Sequence, residues 1–286
     1  MNHKSMAISK ATAILMFSAF LAPAHAETAT SWATQVSSSY KLSFTGFGEI
    51  GKINFQTSLN GSDYSTVGSS EIKIPLIYTW SSKINGGGKL IGETPRPSAY
   101  AFSSQGKPII GSVKHNSTRL GFQDNAIQHV TILPPHTPGG PKYVPLRPEH
   151  MKEGLDPITA VMMLTRLNTA EPCKRTIPIF DGKQRFDLQM SPAGQQKVVE
   201  ARPSGQPVIG FVCKVKYVPI AGHKNNDETK HASEKTEIEV LLRPVPSANL
   251  LVPYRVTVAT KYGTGTMTLQ KMDIIAPGQK QIALVH

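Results

Sequence analysis

Short runs in which apolar and polar residues alternate, cut by glycine, proline or asparagine at roughly 8 to 12 residue spacing, set the strongest constraint on this fold. Tyr40, Leu42 and Phe44 alternate with polar neighbours, and Ile53, Phe55, Thr57 and Leu59 repeat the pattern after Gly46, Gly48 and Gly51. Period-two patterning puts one set of side chains on a single strand face, and the glycines between runs permit bends. Asn60-Gly61 predicts a tight turn into a third strand near Tyr64. Lys89 to Glu93, Ala99 to Ser103, Lys107 to His115, Arg119 to Phe122 and Ile127 to Leu133 continue the series. With 23 glycines and 22 prolines in 286 residues, long helices have little room. The expected fold is mainly β: a curled antiparallel sheet, either an open barrel or a β-spiral, with one or two covering helices.

Other segments break the pattern. In Ser70 to Trp80, Ile72, Ile74, Leu76, Ile77 and Trp80 have helix-compatible spacing, but Pro75 interrupts it. A proline-rich stretch at 134–148 reads as an exposed loop or hinge dividing two halves of one domain. The clearest helix starts at Asp156-Pro157, with an acid as cap and proline in the first helical position, runs through Ile158, Val161, Met162, Leu164 and Thr165, and stops before Glu171-Pro172. Thr176 to Phe180 and Arg185 to Met190 form a hairpin about Asp181-Gly182, and Val208 to Tyr217 is a long strand. His223 to Lys235 is almost devoid of apolar residues and reads as a mobile loop. Ile238 to Leu242, Tyr254 to Thr260 and Gly265 to Ile275 complete the sheet.

Residues 1–26 have the form of an export signal: Lys4 and Lys10, an apolar run from Ala11 to Ala22 too short to span a bilayer, and Ala24-His25-Ala26 before the cut. The expected mature domain is 27–286, periplasmic, with no transmembrane segment after signal removal. Cys173 and Cys213 are the only cysteines, and in an exported chain they are best read as one disulfide around the hairpin. Closing a loop of about 41 residues contributes roughly 4 kcal/mol in the chain-entropy model. The formal charge of +12 is carried by lysines and arginines scattered singly, without the runs and interleaved aromatics of a nucleic-acid groove. A solubilising surface charge is the first reading, and attraction to anionic envelope polymers or headgroups is the second.

Leu155-Asp-Pro-Ile-Thr-Ala160, Cys173-Lys-Arg followed by Phe180-Asp-Gly-Lys-x-Arg185-Phe, Cys213-x-x-x-Tyr217-x-x-Ile-Ala-Gly222 and Val252-Pro-Tyr254 resemble the exported proteobacterial "domain of unknown function 3108" family over nearly the whole mature chain. The resemblance implies a periplasmic, disulfide-containing β-rich protein, similar to lipoprotein-carrier and envelope-integrity β-spiral proteins. It brings no catalytic residue and no cofactor. Pro75 departs from the family pattern, in which a helix runs uninterrupted.

Candidate chemistry is sparse. Asp181 suits turn chemistry, and Arg185 and Asp187 suit pairing on one strand face, better than acid–base work, with Asp181 expected to tolerate positive φ. His115, His129, His136, His150, His223 and His231 lack helical ligand spacing, so no metal is expected. No Gly-x-Ser-x-Gly elbow occurs, and Gly86-Gly-Gly88, without the lysine and helix of a phosphate loop, reads as a turn. The resulting expectation is a non-enzymatic periplasmic binding or scaffold protein that supports the envelope by holding a lipid-like ligand or an envelope protein in its curled sheet. Phe44, Phe55, Trp80, Phe122 and Met162 are the expected cavity lining; Asp156, Pro157, Phe180, Asp181, Gly182, Arg185 and Tyr217 are structural. One alternative is a hydrolase of an envelope glycan using acids such as Glu49, Asp124 or Glu149. The other is a purely structural assembly protein acting through sheet edges.

Overall fold

The computed structural model describes residues 32–136, 139–152, 154–167 and 171–286. The expected export signal lies outside them. Among the described residues fourteen strands form one antiparallel sheet. β1 (Gln35–Phe44), β2 (Gly48–Asn60), β3 (Asp63–Ile74), β4 (Tyr78–Ile91), β5 (Thr94–Pro108), β6 (Lys114–Gln123) and β7 (Ala126–Leu133) are a meander. β8 (Arg175–Phe180), β9 (Arg185–Lys197), β10 (Ile209–Ala221), β11 (Glu237–Val245), β12 (Leu250–Thr260) and β13 (Gly263–Ile275) are a second, and β14 (Ile282–Val285) adds to β13. The meanders join where β1 pairs with β13, from Gln35 opposite Ile275 to Phe44 opposite Gly265. The sheet therefore runs from β7 at one edge to β8 at the other.

Those edges do not pair with each other, but the sheet curls until they share a core. Phe180 of β8, fully buried, clusters with Tyr100, Leu120 and Ile127 of β5 to β7 and with Ile158. The chain between them bridges both edges: Lys152 to Ala126 of β7, and Leu155 to Ile179 of β8. The result is an open barrel closed on this side by a connecting segment rather than by a strand ladder.

Turn chemistry fixes the hairpins. Gly61 (φ +59°) turns β2 into β3, and Asp124 and Asn125, both left-handed, turn β6 into β7 as those residue types tolerate. The segment 70–80 is a hairpin, not a helix: β3 continues to Ile74, Pro75 starts the turn and Leu76 takes φ +59°. Proline's fixed φ suits a turn start and denies the preceding residue a helical conformation. Lys107 to His115 is likewise not one strand, since residues 109–113 separate β5 from β6.

Gly86-Gly-Gly88 is not a turn but the middle of β4. A Cβ at Gly86 would lie 3.6 Å from Cβ of Ile158 and 3.7 Å from Oδ1 of Asp156, so a methyl group would just touch the helix α1 (Pro157–Leu164) and any larger side chain would press against it. The predicted helix start is the observed one, although the helix ends at Leu164. Half of it is buried, at Ile158, Thr159, Ala160 and Met162, whereas Val161 is exposed.

The stretch 223–235 is not simply a loop. It contains α2 (Asp227–Glu234), capped by Asn226, whose side chain accepts from the Thr229 amide, with Asp227 and Glu228 in the first turn. A helix without an apolar stripe gives no periodic signal, and its cap and N-terminal acids carry the local preference. Residues 142–144 bond to residues 222–225, which ties part of the proline-rich connection to the sheet end.

Candidate functional site

An apolar cavity of about 260 Å³ lies between α1 and the inner face of β1 to β3, β12 and β13. Val161, Met162 and Leu164 form its helical wall; Tyr40, Phe55, Leu251, Val256, Met267 and Met272 form much of the sheet wall. These positions share a face because of the register: Val36 is opposite Thr57, Thr57 opposite Thr66, Leu42 opposite Met267 and Val256 opposite Met267. Tyr40 and Phe55 meet edge to face, 6.5 Å between ring centroids.

One carboxylate holds the helical wall in place. Asp156, 1 % exposed, accepts from the amides of Ile158 (2.9 Å) and Thr159 (3.1 Å) and from the Thr159 hydroxyl (2.6 Å). The Thr159 hydroxyl also bonds the Tyr64 hydroxyl at 2.7 Å, which links the helix N-terminus to β3. Burial raises the pKa of Asp156, against the lowering effect of those hydrogen bonds. Burial likewise pushes the Tyr40 and Tyr64 phenols up, and no Asp, Glu, Lys, Arg or His lines the cavity.

Trp32, Arg166 and Glu93 flank the cavity. The Arg166 guanidinium sits 4.4 Å from the Trp32 ring centroid and pairs with Glu93, while Trp32 contributes to the lining. A second buried cation, Arg243, pairs with Glu200 and donates to the Ser204 hydroxyl at 2.8 Å, anchoring the connection between β9 and β10. Neither pair is legible in the sequence, because each unites residues far apart in the chain.

Of the five expected lining residues, Phe55 and Met162 line the cavity. Trp80 lies further along the same sheet face: Phe55 is opposite Gly68, Gly68 opposite Ile84, and Ile84 opposite Phe102, whose ring is 6.4 Å from Trp80. A Cβ at Gly68 would fall 2.6 Å from Phe55 and 2.7 Å from Ile84, so glycine there lets the two side chains meet. Phe44 packs instead against Phe47 at the end of β1, and Phe122 belongs to the cluster around Ile158. A half-buried apolar lane thus continues from the cavity past Phe55, Ile84 and Phe102 to Trp80.

Cys173 and Cys213 are disulfide-bonded, Cα atoms 5.3 Å apart, in a core with Ile177, Met190, Val215 and Val240. Asp181 accepts from the amides of Lys183 (2.8 Å) and Gln184 (2.7 Å), but Gly182 (φ +102°), not Asp181, takes the positive φ, since a residue without Cβ does so at no steric cost. Arg185 pairs with Asp187, and the Tyr217 hydroxyl donates to Gln184 at 2.8 Å. Asp156, Pro157 and Phe180 serve as cap, first helical residue and core. Glu49 and Asp124 stand at opposite ends of the sheet, and Glu149, in a short 3-10 turn, pairs with Arg147. No cluster of three metal-ligating side chains occurs among the described residues. None of their helices is long and apolar enough to cross a membrane.

A family model described as "Protein of unknown function (DUF3108)" matches residues 39–270. A solved structure described as a beta-barrel-like protein of domain of unknown function DUF1849 from Brucella abortus superposes with a TM-score of 0.52 at 11 % identity, covering 85 % of this chain and 98 % of that one. The likeness is one of fold. No curated protein matches the chain.

Proposed function

The chain belongs to the DUF3108 family, and from that premise we propose that it is a non-enzymatic, exported binding protein that holds a lipid-like apolar chain between α1 and its curled sheet. One observation carries the reading: an apolar cavity lined by no charged side chain, and partly open to solvent at Val161, continues into a half-buried apolar lane. Such an apolar wall offers water few polar partners, which favours an apolar occupant over solvent. The volume falls just below the roughly 300–1,000 Å³ typical of small-molecule sites, and the lane lengthens it in one direction, which suits a chain better than a compact ring system.

The disulfide supports placement in an oxidising compartment, which for this chain means the periplasm. The non-catalytic reading is supported by a lining that offers no carboxylate, imidazole or amine for proton transfer.

The test combines native mass spectrometry of gently extracted protein with titration by the uncharged apolar fluorophore N-phenyl-1-naphthylamine. An added mass of acyl-chain size and saturable probe binding are expected, with at least a tenfold loss of probe affinity in Met267→Trp, which fills the cavity from the sheet side. A reproducibly ligand-free protein that leaves the probe dark would sink the proposal.

A further inference from the structure

The antiparallel register sorts the hairpin turns into two sets, and the sets differ in character. The turns from β1 to β2, β3 to β4, β5 to β6 and β12 to β13 all lie at one end of the sheet: Phe44 at the end of β1 is opposite Gly265 at the start of β13, and the Ile109 amide bonds the Ile77 carbonyl at 3.1 Å between neighbouring tips. These tips expose Phe47, Leu76, Ile77, Ile109, Ile110 and Tyr262, with Leu76 84 % and Ile110 88 % accessible. The turns at the opposite end of the first meander are Gly61-Ser62, Gly92-Glu93 and Asp124-Asn125, beside which Ile91 is the one large exposed apolar side chain.

Leu76 makes the contrast sharper. It takes φ +59°, a conformation that glycine or asparagine adopts far more readily, so its side chain is displayed at a backbone cost with no packing to show for it. Exposed apolar residues concentrated on one rim mark an interaction surface.

The charges beside the tips say which kind. Within two residues of these four tips stand Lys73, Lys107, Lys114 and Lys261, all exposed, against a single acid, Glu49. The β8–β9 and β10–β11 connections, which the register puts at the same end further along the sheet, carry Asp181, Asp227, Glu228 and Glu234 and are not part of this patch. The Lys261 ammonium lies 4.9 Å from the Tyr262 ring centroid. Aliphatic tips with aromatic neighbours and lysines just behind them match a lipid–water boundary: apolar side chains enter the acyl region, rings sit at headgroup depth and ammonium groups meet anionic phosphates.

We propose that this rim docks on anionic lipid bilayers, inserting the tips of β3–β4 and β5–β6. The inference does not depend on the cavity being filled. It gives the lane a direction, however, because Trp80, three residues beyond Ile77, stands at the rim end of the lane that leads to Phe55.

The purified chain is floated with vesicles of phosphatidylglycerol and phosphatidylethanolamine, and separately with phosphatidylcholine alone. Binding to the anionic vesicles is expected to weaken as salt rises and to fall at least tenfold in the double variant Leu76→Asp, Ile110→Asp and again in Lys107→Glu, Lys114→Glu. Val199→Asp, at a position also exposed (67 %) but not on this rim, should bind like the parent. Since the rim positions are exposed, the variants should keep the parent's melting temperature and its affinity for N-phenyl-1-naphthylamine in vesicle-free buffer. Probe binding that fails while vesicle binding persists removes the cavity reading and leaves the rim intact. No association with anionic vesicles, or association undiminished in the rim variants, overturns the proposal. So does a photocrosslinker at residue 110 that captures an envelope protein while vesicles remain unbound.

Discussion

Asp156→Ala tests whether one buried carboxylate fixes the helical wall of the cavity. The side chain caps α1 through two amides and accepts the Thr159 hydroxyl, which in turn reaches Tyr64. Losing an N-cap of this type costs about 1 kcal/mol. The Thr159 hydroxyl, buried and left with only Tyr64, costs about another 1 kcal/mol or more, and relief of the carboxylate's desolvation offsets part of that. The expected loss is therefore about 2 kcal/mol, which for a domain of this size lowers the melting temperature by roughly 4–8 °C. Asp156→Asn retains an acceptor for the amides and should lose distinctly less. Thermal melts followed by circular dichroism measure the stability, and N-phenyl-1-naphthylamine titration reports whether Val161, Met162 and Leu164 still form a wall. A shift below about 1 °C for the alanine variant, or an asparagine variant that falls equally far, would refute the assignment of Asp156 as the clamp.

The disulfide closes a loop with a sequence separation of 40, so replacing both cysteines with alanine should cost roughly 4 kcal/mol by chain entropy; urea unfolding with an unchanged midpoint would contradict this. Gly86→Ala, whose Cβ would meet Ile158 at ordinary contact distance, should be tolerated, whereas Gly86→Val forces extra methyl groups against α1 and should lose about 1–3 kcal/mol together with probe binding. Folding raises the pKa of Asp156, so the folded chain holds that proton more tightly than the unfolded one, and the group's contribution falls as pH rises from the ordinary carboxylate range through the raised value. Unfolding free energies of the parent and Asp156→Asn, compared from acid to neutral pH, should therefore diverge in favour of the variant as pH rises; parallel profiles would show that Asp156 does not titrate differently on folding.

Local chemistry was legible and long-range chemistry was not. Asp156-Pro157 announces its helix because the cap and the first residue act within one turn, and Asp181-Gly182 announces its hairpin because both its hydrogen bonds and its positive φ are local. Gly86-Gly-Gly88 misled because a glycine that opens a turn and a glycine that admits a helix are the same letter, and only the distant Ile158 distinguishes them. In the segment 70–80, proline marked a break correctly while the apolar spacing around it suited a strand face as well as a helix face. Phe55 and Met162 could be guessed as lining from alternation and helix position. Met267 and Trp32 could not, since their places depend on β1 meeting β13 and on Arg166 reaching back to the start of the domain.

A mismatch of lengths explains why the interior is left partly empty. Eight residues of α1 extend about 12 Å at 1.5 Å per residue, whereas thirteen-residue strands such as β2 and β13 extend about 43 Å at 3.3 Å per residue. A helix that short can pack over only part of the inner face. It covers the end where Tyr64, Gly86, Tyr100 and Leu120 receive it, and there the core is closed. Beyond it, Ile53, Ile84, Phe102 and Trp80 still face inward with the same alternation but remain only half buried. Exposed apolar surface in this position weakens folding by about 25 cal/mol for each Å² left in contact with water, so a sequence under pressure for stability alone would lengthen the helix or turn these side chains polar. This chain does neither, and it keeps glycine at position 68, where Phe55 and Ile84 meet. Under the proposed function an occupant completes the core along this lane, and lengthening α1 by one apolar turn after Leu164 should then raise stability and abolish binding of the apolar probe together.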